Sequence, residues 1–434
     1  MQHTTVEIEE KIRQRYRQPR GVEQFGIEPV PPELKTVRWI DIFSIIFGFA
    51  LNPGSILVGG LAVTSGLSFL GAVGAITSGV LLATIAYTIM ATVGVDYGLP
   101  GQVSTRMVYG VRGAKWVPSF LRTIASTYWF AYQTVAGSLA VVAILDRWTG
   151  TPHSLMTISV VFAILQAVVA VIGYGSLKHL SRSALPFKIA ILSYVIILLA
   201  TSGQPHFSIS DVIAYPAKPN ADWLLFVTWM NVVAAGSLTM VTDSADFCRY
   251  TRSRSDMWWG TLLGKVGGGF FAALLGAYGA AASLGKTANV FEIVSGLSTG
   301  WFALLMFLIV IALDNWTINV LNLYTGGLSL SNIFERMGRF WTTVIISVLG
   351  IALSATPDVV KGYTSYVGML GNVFSPIAGV LIADYIFVKR GRIDLVGLFE
   401  PNGPYWYWQG VNWVAVGWTA TGFLAYMFVI PAEW

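Results

Sequence analysis

Long apolar runs separated by short polar stretches set the pattern of this chain. Eleven windows of about 20 apolar residues, the length a helix needs to cross roughly 30 Å of hydrocarbon, predict membrane helices. They lie at 39–66, 68–94, 118–145, 154–174, 185–202, 222–245, 257–283, 301–325, 340–356, 362–387 and 408–430. The first is interrupted midway by Asn52-Pro53-Gly54. Proline removes a backbone donor and glycine loosens the helix, so carbonyl and amide groups freed at mid-bilayer depth must find other partners. In transporters those partners are often a solute or an ion.

Windows one to five and six to ten give two halves of nearly equal length, 39–202 and 222–387. An odd number of helices per half makes the halves opposite in topology. Asn52 lies thirteen residues into the first helix, and Gly236-Ser237 the same distance into the sixth if that begins near Trp223. This is the expectation for an inverted repeat in which two broken helices face one central site. A glycine in a membrane helix also serves close packing, which is the competing reading of Gly236.

Composition agrees with the pattern and narrows the function. With 55% hydrophobic and 11% charged residues and a mean hydropathy of +0.64 over 434 residues, the chain reads as an integral membrane protein. A single cysteine, Cys248, and four histidines leave no disulfide framework and no zinc cluster. No cofactor is expected, and no nucleophile or metal constellation suggests an enzyme. A phosphate-cradling GxxxxGK[ST] sequence is missing as well, so ATP is not the expected energy source.

Basic residues orient the helices, because cytoplasmic loops are enriched in Lys and Arg. Residues 1–38 are polar, charged and lack a signal-peptide core, so they are expected to form a cytoplasmic tail. With the tail inside, 22 of the 27 basic residues fall in cytoplasmic segments, among them Arg106, Arg122, Lys178, Arg182, Lys188, Arg249 and Arg339. Arg147, Lys218, Lys286 and Lys361 fall outside, and Lys265 falls within the seventh helix, where it snorkels or pairs with Asp243 or Asp246. The net charge of +5 then belongs to one membrane face and implies no nucleic-acid partner.

Polar residues at membrane depth are the candidate chemistry. Trp129 and Gln133 are four apart on the third helix and so share a face. The ring can stack on a planar heterocycle while the amide bonds its edge, or the pair can fill a helix interface. The eighth helix carries Asp314, Asn315, Thr317, Asn319 and Asn322, too many polar groups for lipid. Asp314 and Thr317 share roughly one face and the three asparagines another, so oxygen ligands for a cation and amides for a solute can lie on different sides. Structural hydrogen bonding between helices is the alternative, and Asp314 in particular is either a cation or proton carrier or an ion-paired structural acid.

Ordered motifs then identify a resemblance. They are Gly101 to Gly113 (GQVSTRMVYGVRG), Trp129-Phe130 with Gln133, Ser244 to Tyr250 (SADFCRY), Asn322 to Ile333 (NLYTGGLSLSNI), and Ser375 to Tyr385 (SPIAGVLIADY) followed by Lys389-Arg390. Together they resemble the nucleobase:cation symporter-1 family, cytosine/purine permease branch, over about Thr36 to Trp413. The resemblance implies an all-α, five-plus-five inverted-repeat (LeuT-like) transporter fold, with a bundle of helices 1, 2, 6 and 7 rocking against a scaffold of helices 3, 4, 8 and 9. It implies Trp129 as the stacking ring, Gln133 and Asn322 as hydrogen-bonding amides and Asn52 as a polar solute contact on helix one, with Asn319 beside them. It also implies a cation site built from carbonyls near Gly48, Leu51 and Leu313 and from Thr317, with Asp314 beside it.

Three features depart from the family pattern. Gly236 is followed by Ser237 and Leu238 rather than a tryptophan, which suits a small base bonded to backbone and hydroxyl. Trp316 stands where sodium-coupled members often carry a small hydroxyl residue, which weakens the Na+ assignment and strengthens that of protons without deciding between them. The family usually has twelve helices where eleven are found here, so residues 388–434 are expected to hold a cytoplasmic loop and a peripheral eleventh helix with its C-terminus outside. The resulting expectation is a monomeric, multi-pass plasma-membrane permease that imports a cytosine- or purine-like heterocycle with Na+ or H+. Hydantoin or allantoin, uracil, a pyrimidine vitamin precursor, or a non-transporting sensor on the same scaffold are the alternatives.

Overall fold

The computed structural model describes residues 25–172, 174–219, 223–297, 300–356 and 358–429, with the side chains of 172–181 excepted. All regular structure among them is helical, apart from two isolated bridges, Val37 with Thr251 and Trp408 with Val411. The major helices are α1 (Trp39–Ala50), α2 (Pro53–Ser65), α3 (Phe69–Tyr97), α4 (Phe120–Thr149), α5 (Leu155–Ile172), α6 (Tyr174–Ala200) and α7 (Trp223–Leu238). They continue with α8 (Ser244–Cys248), α9 (Arg254–Ala282), α10 (Trp301–Ile333), α11 (Gly338–Ser354), α12 (Tyr363–Ala383) and α13 (Trp413–Phe428). Eight spans among the described residues are long and apolar enough to cross a membrane, and α1 with α2, bent by 50°, makes a ninth. The shorter apolar helices α5 and α13 account for the remaining two predicted windows.

The bend lies at the predicted interruption, and its cause is local. Pro53 has no amide hydrogen to continue α1 but suits the first position of a new helix. Asn52 becomes the N-cap of α2: its Oδ1 accepts from the Ser55 amide at 2.9 Å. The second interruption differs from the prediction. Gly236 and Ser237 remain helical, and α7 ends only after Leu238, in a turn followed by a single 3₁₀ turn, Val241–Asp243, and α8. Thr239 and an arginine hold this break open. The Thr239 hydroxyl donates to the Gly236 carbonyl at 2.6 Å, while Arg122 of α4 donates to the Thr239 carbonyl at 2.9 Å and pairs with Asp243 at 2.7 Å.

Helix packing separates two groups. α9 runs against α1, α2 and α3, and α3 in turn against α7. α10 runs against α4, α5 and α11. Glycines permit the first set of contacts: a Cβ on Gly264 would lie 3.0 Å from Ile46 Cβ, and one on Gly276 only 1.8 Å from the Ile56 carbonyl oxygen. Large apolar side chains such as Leu70, Val168, Phe187, Val348 and Met369 remain exposed, as expected of faces solvated by lipid tails.

Several sequence expectations change here. The segment before α1 is docked in its described part: Ile27, Glu28 and Val30 are buried, Arg249 donates to the carbonyls of Phe25 and Gly26, and Val30 bonds the Gly98 carbonyl. The tail up to residue 24 lies outside the described residues, as does the side chain of Lys178. The loop expected between helices four and five is largely the start of α6, so Lys188 is a fully buried membrane-helix residue rather than a loop charge. Arg106, Arg122, Arg249 and Arg339 are likewise buried. Their guanidinium groups bind interior acceptors; Arg106, for example, donates to Asn332 Oδ1 and Glu335.

Candidate solute cavity and cation site

A cavity of about 130 Å³ lies where the two interrupted helices meet α4 and α10. Trp129 and Gln133, which their spacing puts on one face of α4, both line it, together with Asn52, Gly236, Ser237 and Asn322. Trp129 is held by a hydrogen bond from its Nε1 to Thr239 Oγ1 at 3.1 Å and by edge contacts with Tyr132 and Tyr363. Gln133 Oε1 is buried without a hydrogen-bond partner among the described residues, so an acceptor in the cavity wall is unspent. Gly54 is the condition for this geometry, because a Cβ there would sit 2.2 Å from Gln133 Oε1.

Two of the amides named from sequence have other work. Asn52 lines the cavity, yet its carbonyl caps α2 and its Nδ2 donates to the Phe49 carbonyl at 2.5 Å and to Ser55 Oγ at 2.8 Å. It holds the bend together and has little capacity left for a solute. Asn319 is not in the wall: its Nδ2 donates to Thr134 and Gln166, within a buried network that also joins Gln166 Nε2 to Asn315 Oδ1 at 2.7 Å. Asn322 lies one turn on, in the wall, with Nδ2 donating to Asn319 Oδ1 at 3.3 Å. The network thus orients the amide that faces the cavity.

The candidate cation site contains a residue that sequence reasoning missed. Lys188 from α6 donates through Nζ to the Gly48 carbonyl at 2.5 Å and forms an ion pair with Asp314. Lys188 is 0% and Asp314 1% exposed. Thr317, also buried, donates its hydroxyl to the Asp314 carbonyl at 2.7 Å, while Leu51 stands at the break of α1 and Leu313 one residue before Asp314. An ammonium therefore sits between the Gly48 carbonyl and the carboxylate expected beside the cation. No group of three or more His, Cys, Asp or Glu able to hold a metal occurs among the described residues.

Tyr132, Tyr363, Thr239 and Ser55 also belong to the wall and carried no recognisable sequence signal. Lys265 had been expected to snorkel or to pair with an acid. Instead it lines the cavity, is 3% exposed, and has no hydrogen-bond acceptor among the described residues.

Discontinuous helices that meet at a mid-membrane cavity define a secondary-transporter architecture. The likeness to solved structures places it in the five-plus-five inverted-repeat, LeuT-like fold. Mhp1 in a closed conformation with bromovinylhydantoin bound superposes with a TM-score of 0.78 at 24% identity, covering 94% of both chains. MhsT in complex with L-phenylalanine gives 0.59 at 14% identity over 91% of this chain and 98% of that one. The chain belongs to the nucleobase:cation symporter-1 family: the family described as permease for cytosine/purines, uracil, thiamine, allantoin matches residues 29–433. It is similar to a hydantoin permease of Microbacterium maritypicum, 26% identical over 400 residues (88% of this chain, 79% of the relative). It is also similar to the cytosine permease of Escherichia coli (strain K12), 27% identical over 366 residues (84% and 82%), and to an allantoin permease of Bacillus subtilis (strain 168), 23% identical over 435 residues (93% and 86%).

Proposed function

We propose that this protein is a secondary active transporter that imports a nucleobase-like planar heterocycle by alternating access, with 39–202 and 222–387 as its inverted repeats. The observation that carries the reading is the cavity between two interrupted helices, with the Trp129 ring and the Gln133 and Asn322 amides in its wall. A ring face plus unspent amide groups recognises a flat, hydrogen-bonding solute. Gly236 and Ser237 belong to the same wall, and a Cβ on Gly236 would lie 3.6 Å from the Trp129 ring, so a small residue there keeps that ring unobstructed. Transport fits a plasma-membrane monomer with a cytoplasmic N-terminus.

Coupling to protons is favoured over coupling to Na+. Lys188 already holds a positive charge against the Gly48 carbonyl and Asp314, and a second cation there would meet like-charge repulsion in a low dielectric. The Lys188–Asp314 pair is the group able to lose and regain a proton as the site opens to either side. Two observations thus support one reading, since Trp316 also stands where a hydroxyl ligand would be needed.

Reconstituted vesicles separate the possibilities. Uptake of radiolabelled cytosine or allantoin should be accelerated by an acid-outside pH gradient and indifferent to replacement of Na+ by choline. A strict Na+ requirement would overturn proton coupling, and binding without accumulation under any gradient would leave a sensor. Lys188→Met alone strands a buried carboxylate at a cost of about 3–5 kcal/mol, so the informative variant is Lys188→Met with Asp314→Asn. That pair should retain solute binding and lose the response to the pH gradient.

A further inference from the structure

We infer that Lys265 is a specificity residue of the solute cavity, and that the preferred solute is a planar heterocycle carrying a negative charge on one edge, such as an ionised imide. The inference rests on the transporter reading and names the substrate class of the same site. Among the residues that line the cavity, Lys265 is the one with a charged side chain; no carboxylate shares the wall with it. A protonated Lys265 repels a cation and attracts an anion that completes its hydrogen bonds, and low dielectric strengthens both effects.

The amine lies against aromatic faces and is left with unspent donors. Its Nζ lies 4.1 Å from the centroid of the Tyr87 ring and 5.9 Å from that of Phe49. Aromatic faces stabilise a cation through their quadrupole without accepting its N–H groups as a carbonyl would. None of the three N–H donors has an acceptor among the described residues. The acid that interacts electrostatically with it, Asp243, is ion-paired with Arg122 at 2.7 Å, and Asp246 accepts from the Gly101 amide at 2.7 Å. Neither of the acids expected from sequence to neutralise Lys265 hydrogen-bonds to it.

Placement puts Lys265 in the wall of the solute cavity. Gly269 lies one turn further along α9, on the same face, and is itself part of the wall. The same wall carries Trp129, for the ring face, and Gln133 and Asn322, for neutral edges. A flat anion stacked on Trp129 therefore presents one edge to amides and the charged edge to α9. A buried polar group left unpaired is costly, so a ligand that supplies the missing acceptor gains that interaction in full.

The test uses the full-length protein and two shape-matched solute pairs: barbiturate, anionic at neutral pH, against neutral uracil, and urate, anionic, against neutral hypoxanthine. Binding is read by ligand-induced thermal shift and by competition for uptake. The wild type should prefer each anion at least tenfold. Lys265→Met should lose at least tenfold affinity for the anions while its affinity for the neutral rings changes less than about threefold, and Lys265→Arg should keep the anion preference. The unliganded melting temperature of Lys265→Met should be unchanged or higher, since an unpartnered buried charge is removed. Tighter binding of the neutral rings by the wild type, or an unchanged preference in Lys265→Met, would overturn the inference while leaving heterocycle transport intact. Binding of cytosine or allantoin by a protein that binds none of the four rings would overturn the inference alone, whereas accumulation of no heterocycle under any gradient would overturn the transporter reading, so the two failures are told apart.

Discussion

Asn52 and Gln133 illustrate how differently two amides at one cavity can be employed. Asn52 spends its oxygen on the Ser55 amide and its nitrogen on Phe49 and Ser55, whereas Gln133 keeps an unpartnered oxygen. Gln133→Ala should therefore weaken solute binding about tenfold, the worth of one well-made hydrogen bond, with little change in the unliganded melting temperature. Asn52→Ala should show the reverse emphasis, costing about 1 kcal/mol of stability through the lost cap and less affinity than Gln133→Ala. Thermal shift with and without solute reads both quantities; equal affinity losses would return Asn52 to direct solute contact. The sequence revealed Trp129 and Gln133 because a four-residue spacing fixes their common face. It did not reveal Lys188, because the sequence put that lysine near the start of its helix, and its inward direction depends on a carbonyl and a carboxylate from α1 and α10, distant along the chain.

At the scale of elements, punctuation in the sequence was readable when covalent and obscure when tertiary. Proline ends α1 by its own chemistry, so the bend fell where it was expected. The break after α7 depends on Arg122 reaching from α4 to Thr239 and Asp243, which moved it beyond the glycine that seemed its natural place. Close approach of α9 to α1 and α2 is also tertiary, and it makes Gly276 stricter than its neighbours. Gly276→Ala brings a Cβ to 1.8 Å from the Ile56 oxygen and 2.9 Å from the Gly60 nitrogen, both backbone atoms that no side-chain rotation can move. We expect that variant to be lost from the monodisperse fraction on size exclusion, whereas Gly417→Ala, with nothing within 4 Å of its added Cβ, should be recovered like the wild type. Equal recovery of the two would contradict the packing of α9 on α2.

For the whole molecule, the charge count that suggested the topology mixed two populations. Arg106, Arg122, Lys188, Arg249 and Arg339 are each at most 1% exposed and serve interior acceptors, so they say nothing directly about a membrane surface. Arg38, Arg112, Arg182, Arg252, Arg254, Arg336, Arg390 and Arg392 are exposed in segments assigned to the cytoplasm, against Arg147, Lys218 and Lys361 in segments assigned outside. Surface charge alone therefore still favours a cytoplasmic N-terminus by the positive-inside rule. Cys248 is fully buried and gives a low labelling background, so single introduced cysteines can test the orientation. Gln204 lies exposed after α6 and Glu400 lies exposed between α12 and α13, on opposite sides of the membrane in the proposed topology. An impermeant maleimide applied to intact cells should label Gln204→Cys within minutes and label Glu400→Cys only after permeabilisation. The inverse pattern would reverse the orientation, and with it the direction in which an acid-outside gradient drives solute, whereas the cavity and the Lys188–Asp314 pair would keep their places in the fold.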